Sequence, residues 1–355
     1  MIRQSGFTLI ELVLSLALGL IITAAAILLF LTSQRSLSLQ QGLSDVQDNA
    51  NFGLNYLTKD IRLANLNNPK SILNDETAYG GVVLTSSINA TKDTQTTPPT
   101  PLSNLVHTII GTTANVNLVS RSSGMTVGTV PAWSGVSNVQ VNGSDISSDQ
   151  LVIQYVPQYL TDDKGTASTS DDVLVGGYDC EGNKLEFPVN DPLDGKPFGP
   201  QVVVQRYFLR ADDNNVKTEP NQPLALACDA GHYATTGDPT VVTRYGDAGE
   251  IVMKRVDYFR VLLGVQNDNQ RRYISVNDYM TLATPRPRIV SLQLGLLTRS
   301  AQNVGNDTVT KDDQEFVVLD QTVKVKKPSV ATTKYVRQVV SQTVALRNSV
   351  GERGE

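Results

Sequence analysis

No ionisable side chain appears from Leu12 to Gln34, and a single carboxylate, Glu11, stands at the threshold of this run. Its apolar part, through Leu31, is long enough to cross a bilayer as a helix, for which about 20 residues suffice. No proline interrupts it, and Gly19 is an ordinary residue in a membrane helix. Arg3 before the run and Arg35 after it leave the orientation open on charge alone. A secretory signal would place small residues after the run as a cleavage site. "LFLTSQ" does not read as such a site, whereas the small residues Ser5 and Gly6 come before the run. A carboxylate in hydrocarbon is costly unless compensated. Glu11 therefore either lies at an interface or needs a cation beside it.

The apolar pattern does not stop at the bilayer. Leu43, Val46, Ala50, Leu54, Leu57, Ile61 and Ala64 recur every three or four residues, which marks one face of an amphipathic helix. Gly42 and Gly53 are points of close packing or flexibility, and "NNP" at 67–69 supplies a stop. A continuous helix from Phe7 to Leu66 would be roughly 90 Å long. A coiled-coil partner could cover the apolar face. Burial against the chain's own head fits better, because abundant strand patterns follow.

The chain has 355 residues and a formal net charge of -5, with Lys and Arg scattered, so no basic patch points to nucleic acid. "DQLVIQYVP" (149–157), "QVVVQRYFLR" (201–210), "QPLALA", both ends of 255–280, and 285–300 read as strands. "NLVHTII" (104–110) reads as a weaker one. "TSSINATKDTQTTPPTPLSN" and residues 158–177 read as exposed excursions. Cys180 and Cys228 suit one disulfide in a noncytosolic head; free thiols would be the cytosolic reading. His232 lies four residues after Cys228, yet a zinc ligand set is missing. Asp162, Asp163, Asp171 and Asp172 could offer oxygens to calcium but do not follow the ordered calcium-loop pattern; solvated loop charge is the simpler reading.

"GFTLIELVLSLALG" closely resembles the processing site of type IV pilins and type II secretion pseudopilins. The resemblance implies that a prepilin peptidase cuts after Gly6 and that Phe7 becomes an N-methylated N-terminus. Glu11 is then the fifth mature residue, and the new amine is the cation it needs, within one chain or between packed rods. "NFGLNYLTKDIRLANL" resembles the end of the long helix in PilW-type minor pilins, through Phe52, Leu54, Leu57, Asp60, Ile61, Arg62 and Ala64. Segments 255–280 and 285–300 resemble that family too, as do Arg337, Val340, Thr343, Val344, Leu346, Arg347 and Asn348 in the tail. The middle of the chain is poorly covered by the likeness.

The implied fold is α+β and pilin-like, a long N-terminal helix packed on a predominantly antiparallel β-sheet head with large loop insertions. Its parts are a leader (1–6), a membrane or filament-core helix (7–34), an amphipathic continuation (35–66) and a β-rich head (67–355). The implied role is a minor pilin that primes type IV pilus assembly and joins the tip. The implied partners are other minor pilins, the major pilin, a PilY-type tip adhesin, prepilin peptidase and the inner membrane. A GspJ-like pseudopilin of a secretion system is the nearest alternative, and a secreted β-rich ligand-binding module is another. No phosphate loop, H-E-x-x-H motif or recognisable triad is present, so neither catalysis nor a cofactor is expected.

Overall fold

In the computed structural model the apolar run and the amphipathic segment form one helix, α1 (Leu9–Ile61), of 53 residues. The structure describes residues 8–106, 109, 117–127, 132–190, 198–214, 219, 221–237, 239–268, 270–304, 314–327 and 334–349. Gly6, Phe7 and His107 lie outside them. The first half of α1 is bare, with Leu9 82% and Leu29 73% exposed. Ser15, Thr23 and Thr32 donate to carbonyls one turn back, Leu12, Gly19 and Leu28, at 2.6–3.0 Å. These hydroxyls therefore need no outside partner in lipid. The second half buries Val46, Ala50, Leu54, Leu57 and Ile61. Leu43, expected on the same face, stays 38% exposed.

The helix ends five residues before the expected Leu66. Arg62 is its C-cap, and Leu63 and Ala64 close tighter turns onto the carbonyls of Asp60 and Ile61, at 2.9 and 3.1 Å. Asn65 then takes a left-handed conformation, φ 63°. Asparagine tolerates that region better than most residues and often terminates helices there. The stop is set by Asn65 rather than by Pro69.

Two four-stranded antiparallel sheets carry the head. One contains β1 (Leu151–Tyr155), β2 (Gln201–Ala211), β3 (Leu224–Ala234) and β4 (Glu250–Lys254), in the order β4-β3-β2-β1. The other contains β5 (Val256–Asn267), β6 (Gln270–Ser275), β7 (Arg288–Arg299) and β8 (Arg337–Ala345), in the order β6-β5-β7-β8. Between β6 and β7 lies a short helix, α2 (Val276–Thr281), which the strand pattern of 255–280 did not announce. Ser275 starts it by accepting from the Asp278 amide at 3.0 Å. A single core draws Leu57 and Ile61 from α1, Ile153, Val204 and Leu226 from the first sheet, and Phe259, Leu292 and Leu296 from the second.

The excursions are more ordered than their composition suggests. Residues 158–190 contain a three-stranded sheet, Leu160–Asp162, Val173–Tyr178 and Lys184–Pro188. The Pro-rich loop folds a small hairpin from Thr91–Asp93 and Thr100–Leu102. The described part of 104–110 holds no strand. A further small sheet joins Val139–Val141 and Ser144–Asp145 to Glu315–Val318 and Gln321–Val325.

Candidate functional site: the rod and its mounting on the head

The N-terminal end of α1 is a capping box. Thr8 donates through its backbone N and its Oγ1 to Glu11 Oε2, at 3.0 and 2.9 Å, and Glu11 N donates back to Thr8 Oγ1 at 3.4 Å. In the pattern T-x-x-E, two amides that the helix cannot satisfy internally are paired reciprocally. Glu11 thus has a local structural partner, a role the sequence reading did not assign. Its carboxylate is exposed at the helix N-terminus, where negative charge is favoured. The expected pairing with the Phe7 amine involves a residue outside those described.

At the other end the rod is seated by close contacts. A Cβ at Gly53 would lie 2.9 Å from Met253 Cβ and closer still to Met253 Cε. At Gly42 it would lie 2.8 Å from Val304 Cγ1 and 3.7 Å from Val336 Cγ2. Both glycines let the helix backbone approach the head. Asn49 exchanges hydrogen bonds with Lys254, donating to its carbonyl at 2.6 Å and accepting from its amide at 3.3 Å. Tyr207 Oη donates to Asp60 Oδ2 at 2.7 Å. Burial pushes the Asp60 carboxyl up, and the Tyr207 bond opposes that shift.

The end of the helix is held by the far end of the chain. Asn348 Nδ2 donates to the carbonyls of Arg62 and Ala64 at 3.2 and 3.1 Å, and Asn65 Nδ2 donates to the Asn348 carbonyl at 2.9 Å. The Gly81 amide donates to Asn65 Oδ1 at 3.1 Å. Carbonyls left open by the broken helix are thereby satisfied from the tail and the first sheet's flank. The tail resemblance had singled out Asn348; nothing local in its sequence revealed its contact with α1.

Cys180 and Cys228 form a disulfide with Cα atoms 6.2 Å apart, joining the three-stranded sheet to β3. Tyr56 of α1 donates to the Cys180 carbonyl at 2.9 Å, so the bridge also abuts the rod. His232 packs on the Phe187 ring, centroids 4.7 Å apart, and burial lowers its pKa. Cys228 is committed to the disulfide, which leaves no Cys228–His232 zinc pair. Asp162, Asp163 and Asp171 bond within their own loop, to Lys164, Gly165 and Thr166. The fold brings Glu181, Asp229 and Asp247 within 4.8 Å of one another, a grouping their separation in sequence concealed. Asp229 is held by the Gly246 amide and Arg206. Burial, with Asp247, Asp179 and Asp229 nearby, pushes Glu181 up to about 7.

A ladder of buried ions fastens the second sheet. Arg255 pairs with Asp212 and Glu219 at 2.6 and 2.7 Å, Arg299 with Glu219 and Asp257, and Arg337 with Asp257 at 2.7 Å. Such networks are costly to break by removing one member.

The family described as Type IV Pilus-assembly protein W matches residues 207–348, and the prokaryotic N-terminal methylation motif matches residues 1–27. The first match runs from Tyr207, within β2, through β8 and ends on Asn348, the residue that grips the end of α1. No curated protein matches the chain. Among solved structures, a type IV-like pilin from Thermus thermophilus aligns over 61% of this chain and 87% of its own, at 10% identity and a TM-score of 0.25. A likeness that slight carries no structural inference. The methylation motif on an apolar helix fits a single-pass inner-membrane anchor with a periplasmic head, later taken into a pilus. The chain thus carries that motif on its rod and, over residues 207–348 of its head, a segment similar to the PilW family.

Proposed function

We propose that this protein is a minor pilin that primes type IV pilus assembly and becomes part of the tip complex. The observation that carries the reading is the bare apolar rod, fixed to the head through Gly42, Gly53 and Asn348. An uncovered helix of this kind is stable in lipid and then among similar rods, and the head travels with it. In this reading prepilin peptidase removes residues 1–6 after Gly6 and methylates Phe7. The Phe7 amine then compensates Glu11, in its own chain or in a neighbour. The chain does no chemistry itself; a motor ATPase drives assembly. It contributes a templating rod and head surfaces to other minor pilins, to the major pilin and to a PilY-type tip adhesin.

The test combines processing with location. Intact mass should show loss of the leader and one added methyl group, and Gly6→Leu should retain the leader and block assembly. Immunogold labelling of sheared pili should place the wild-type head at filament ends, and its deletion should reduce the number of pili. Labelling along the whole shaft, or co-purification with secretion pseudopilins alone, defeats the tip assignment.

A further inference from the structure

We infer that the free edge of β8 receives an extended, low-charge strand from a different pilin-like subunit, continuing the second sheet across the subunit boundary. The inference rests on the minor-pilin reading and names the contact by which such a subunit would hold its neighbour. β8 is the last strand of its sheet, paired on one side with β7 in an unbroken register from Ser291↔Ala345 to Arg299↔Arg337. The ladder shows which backbone groups are spoken for. Leu346 N donates to the Val290 carbonyl at 2.9 Å and Ser300 N to the Val336 carbonyl at 2.9 Å. Alternate residues of an antiparallel strand bond to the same neighbour. Even-numbered residues of β8 therefore bond to β7. The amides and carbonyls of Val339, Ser341, Thr343 and Ala345 point away from it. Among the described residues no other strand's backbone meets them, and the one side chain that does is the neighbouring Gln342, whose Nε2 donates to the Thr343 carbonyl at a long 3.5 Å.

An edge of this kind is a template for another strand, and proteins normally blunt it with charge, proline, bulges, shortness or a covering segment. The other edges here are blunted in those ways. β6 exposes Arg271 and Arg272. β4 is five residues long, faces a bulge and is met by Asn49. β1 is covered by 81–83, through Val83 N to the Val152 carbonyl and Gln154 N to the Gly81 carbonyl. Lys184–Pro188 carries charge and proline, and Glu315–Val318, Leu160–Asp162 and Ser144–Asp145 span four residues or fewer. β8 has none of these devices. From Gln338 to Ala345 it holds no charge and no proline, and Ser341, Gln342 and Thr343 are exposed.

The direction of the strand identifies the occupant. Val336 lies beside Gly42 and Asn348 bonds to Arg62 and Ala64, so β8 runs alongside α1 in the same sense. Subunits sharing one membrane have parallel rods. An incoming strand that pairs antiparallel with β8 must therefore run against its own rod. In this chain β6 runs that way, but its two arginines guard it. From this sheet a second copy thus offers the guarded β6, or β8 in the slightly weaker parallel pairing. The sheet has one receptive edge and one closed edge, which favours a single heterologous neighbour over a chain of copies.

The test uses full-length protein in the membranes of a strain that carries the other pilus subunits, with a benzophenone amino acid at Thr343. The expected adduct joins Thr343 to another chain bearing an N-terminal methylation motif, at a strand antiparallel to that chain's own rod. Ser341→Pro removes an outward amide without costing the ladder a bond. It should cut the adduct at least tenfold, with the melting temperature and the Cys180–Cys228 disulfide unchanged. If it lowers the melting temperature, Thr343→Lys, read with the probe at Ser341, takes its place and should give the same loss. An undiminished adduct in a folded variant, an adduct only between two copies, or no adduct overturns the inference. These outcomes leave the minor-pilin reading standing as long as wild-type protein is processed and enters the pilus fraction. Its exclusion from that fraction sinks that reading instead.

Discussion

Met253 occupies the space that a side chain at residue 53 would need. Gly53→Val should destabilise the head by about 1–3 kcal/mol through overpacking, and Met253→Ala in the same chain should restore part of the loss; thermal melts of the four combinations measure it. Glu181 makes a second residue-scale prediction. Its pKa is raised to about 7, so the folded state holds a proton that the unfolded chain has released. That stabilisation is complete below the ordinary carboxylate pKa and is lost as pH rises through about 7. Glu181→Gln should therefore melt with wild type near pH 4 and above it at pH 8; a difference independent of pH contradicts the assignment. At this scale the sequence was legible where chemistry is unusual, as in the only two cysteines. Glu181, Asp229 and Asp247 were not legible, because three carboxylates distant in sequence meet only after β3 and the disulfide are in place. Leu43 was misplaced because helical periodicity shows which face is apolar, not where the head begins to cover it.

Among elements, the disulfide makes the clearest prediction. It closes a separation of 48 residues and joins a sheet with little core of its own to the wholly buried start of β3. Cys180→Ala with Cys228→Ala should cost about 2–4 kcal/mol, and protease should then cut within 158–190 before the rest of the head. Simultaneous loss of the whole head would instead mean that the bridge stabilises one cooperative unit. Strands whose residues are β-branched and buried on both faces, such as β2, could be read from their runs, as could β7 from its alternation. α2 could not, because six residues are too few for a helical period to emerge against the strand preceding it. The end of α1 was misjudged because proline is a conspicuous stop. Asn65 stops the helix earlier through its left-handed backbone and its bonds to Lys70, Asn348 and Gly81.

For the whole molecule, the division into rod and head was plain in the sequence, since charge vanishes over the first half of one and strand patterns fill the other. The way the two are joined was hidden, because Asn348 reaches across nearly the entire chain to close the end of α1. Glu11→Ala removes both the capping carboxylate and the partner proposed for the Phe7 amine. It should leave membrane insertion and head stability unchanged and reduce recovery in the pilus fraction severalfold, as quantitative immunoblotting would show; equal recovery removes Glu11 from assembly.

The side-by-side run of α1 and β8 has a mechanical consequence. A pull on the buried end of the rod, opposed by drag on the head, acts along the direction of both elements. Contacts from Gly42 to Asn348 are then strained together in shear instead of being peeled one after another. The joint should therefore withstand lengthwise tension far better than a sideways pry of the same force.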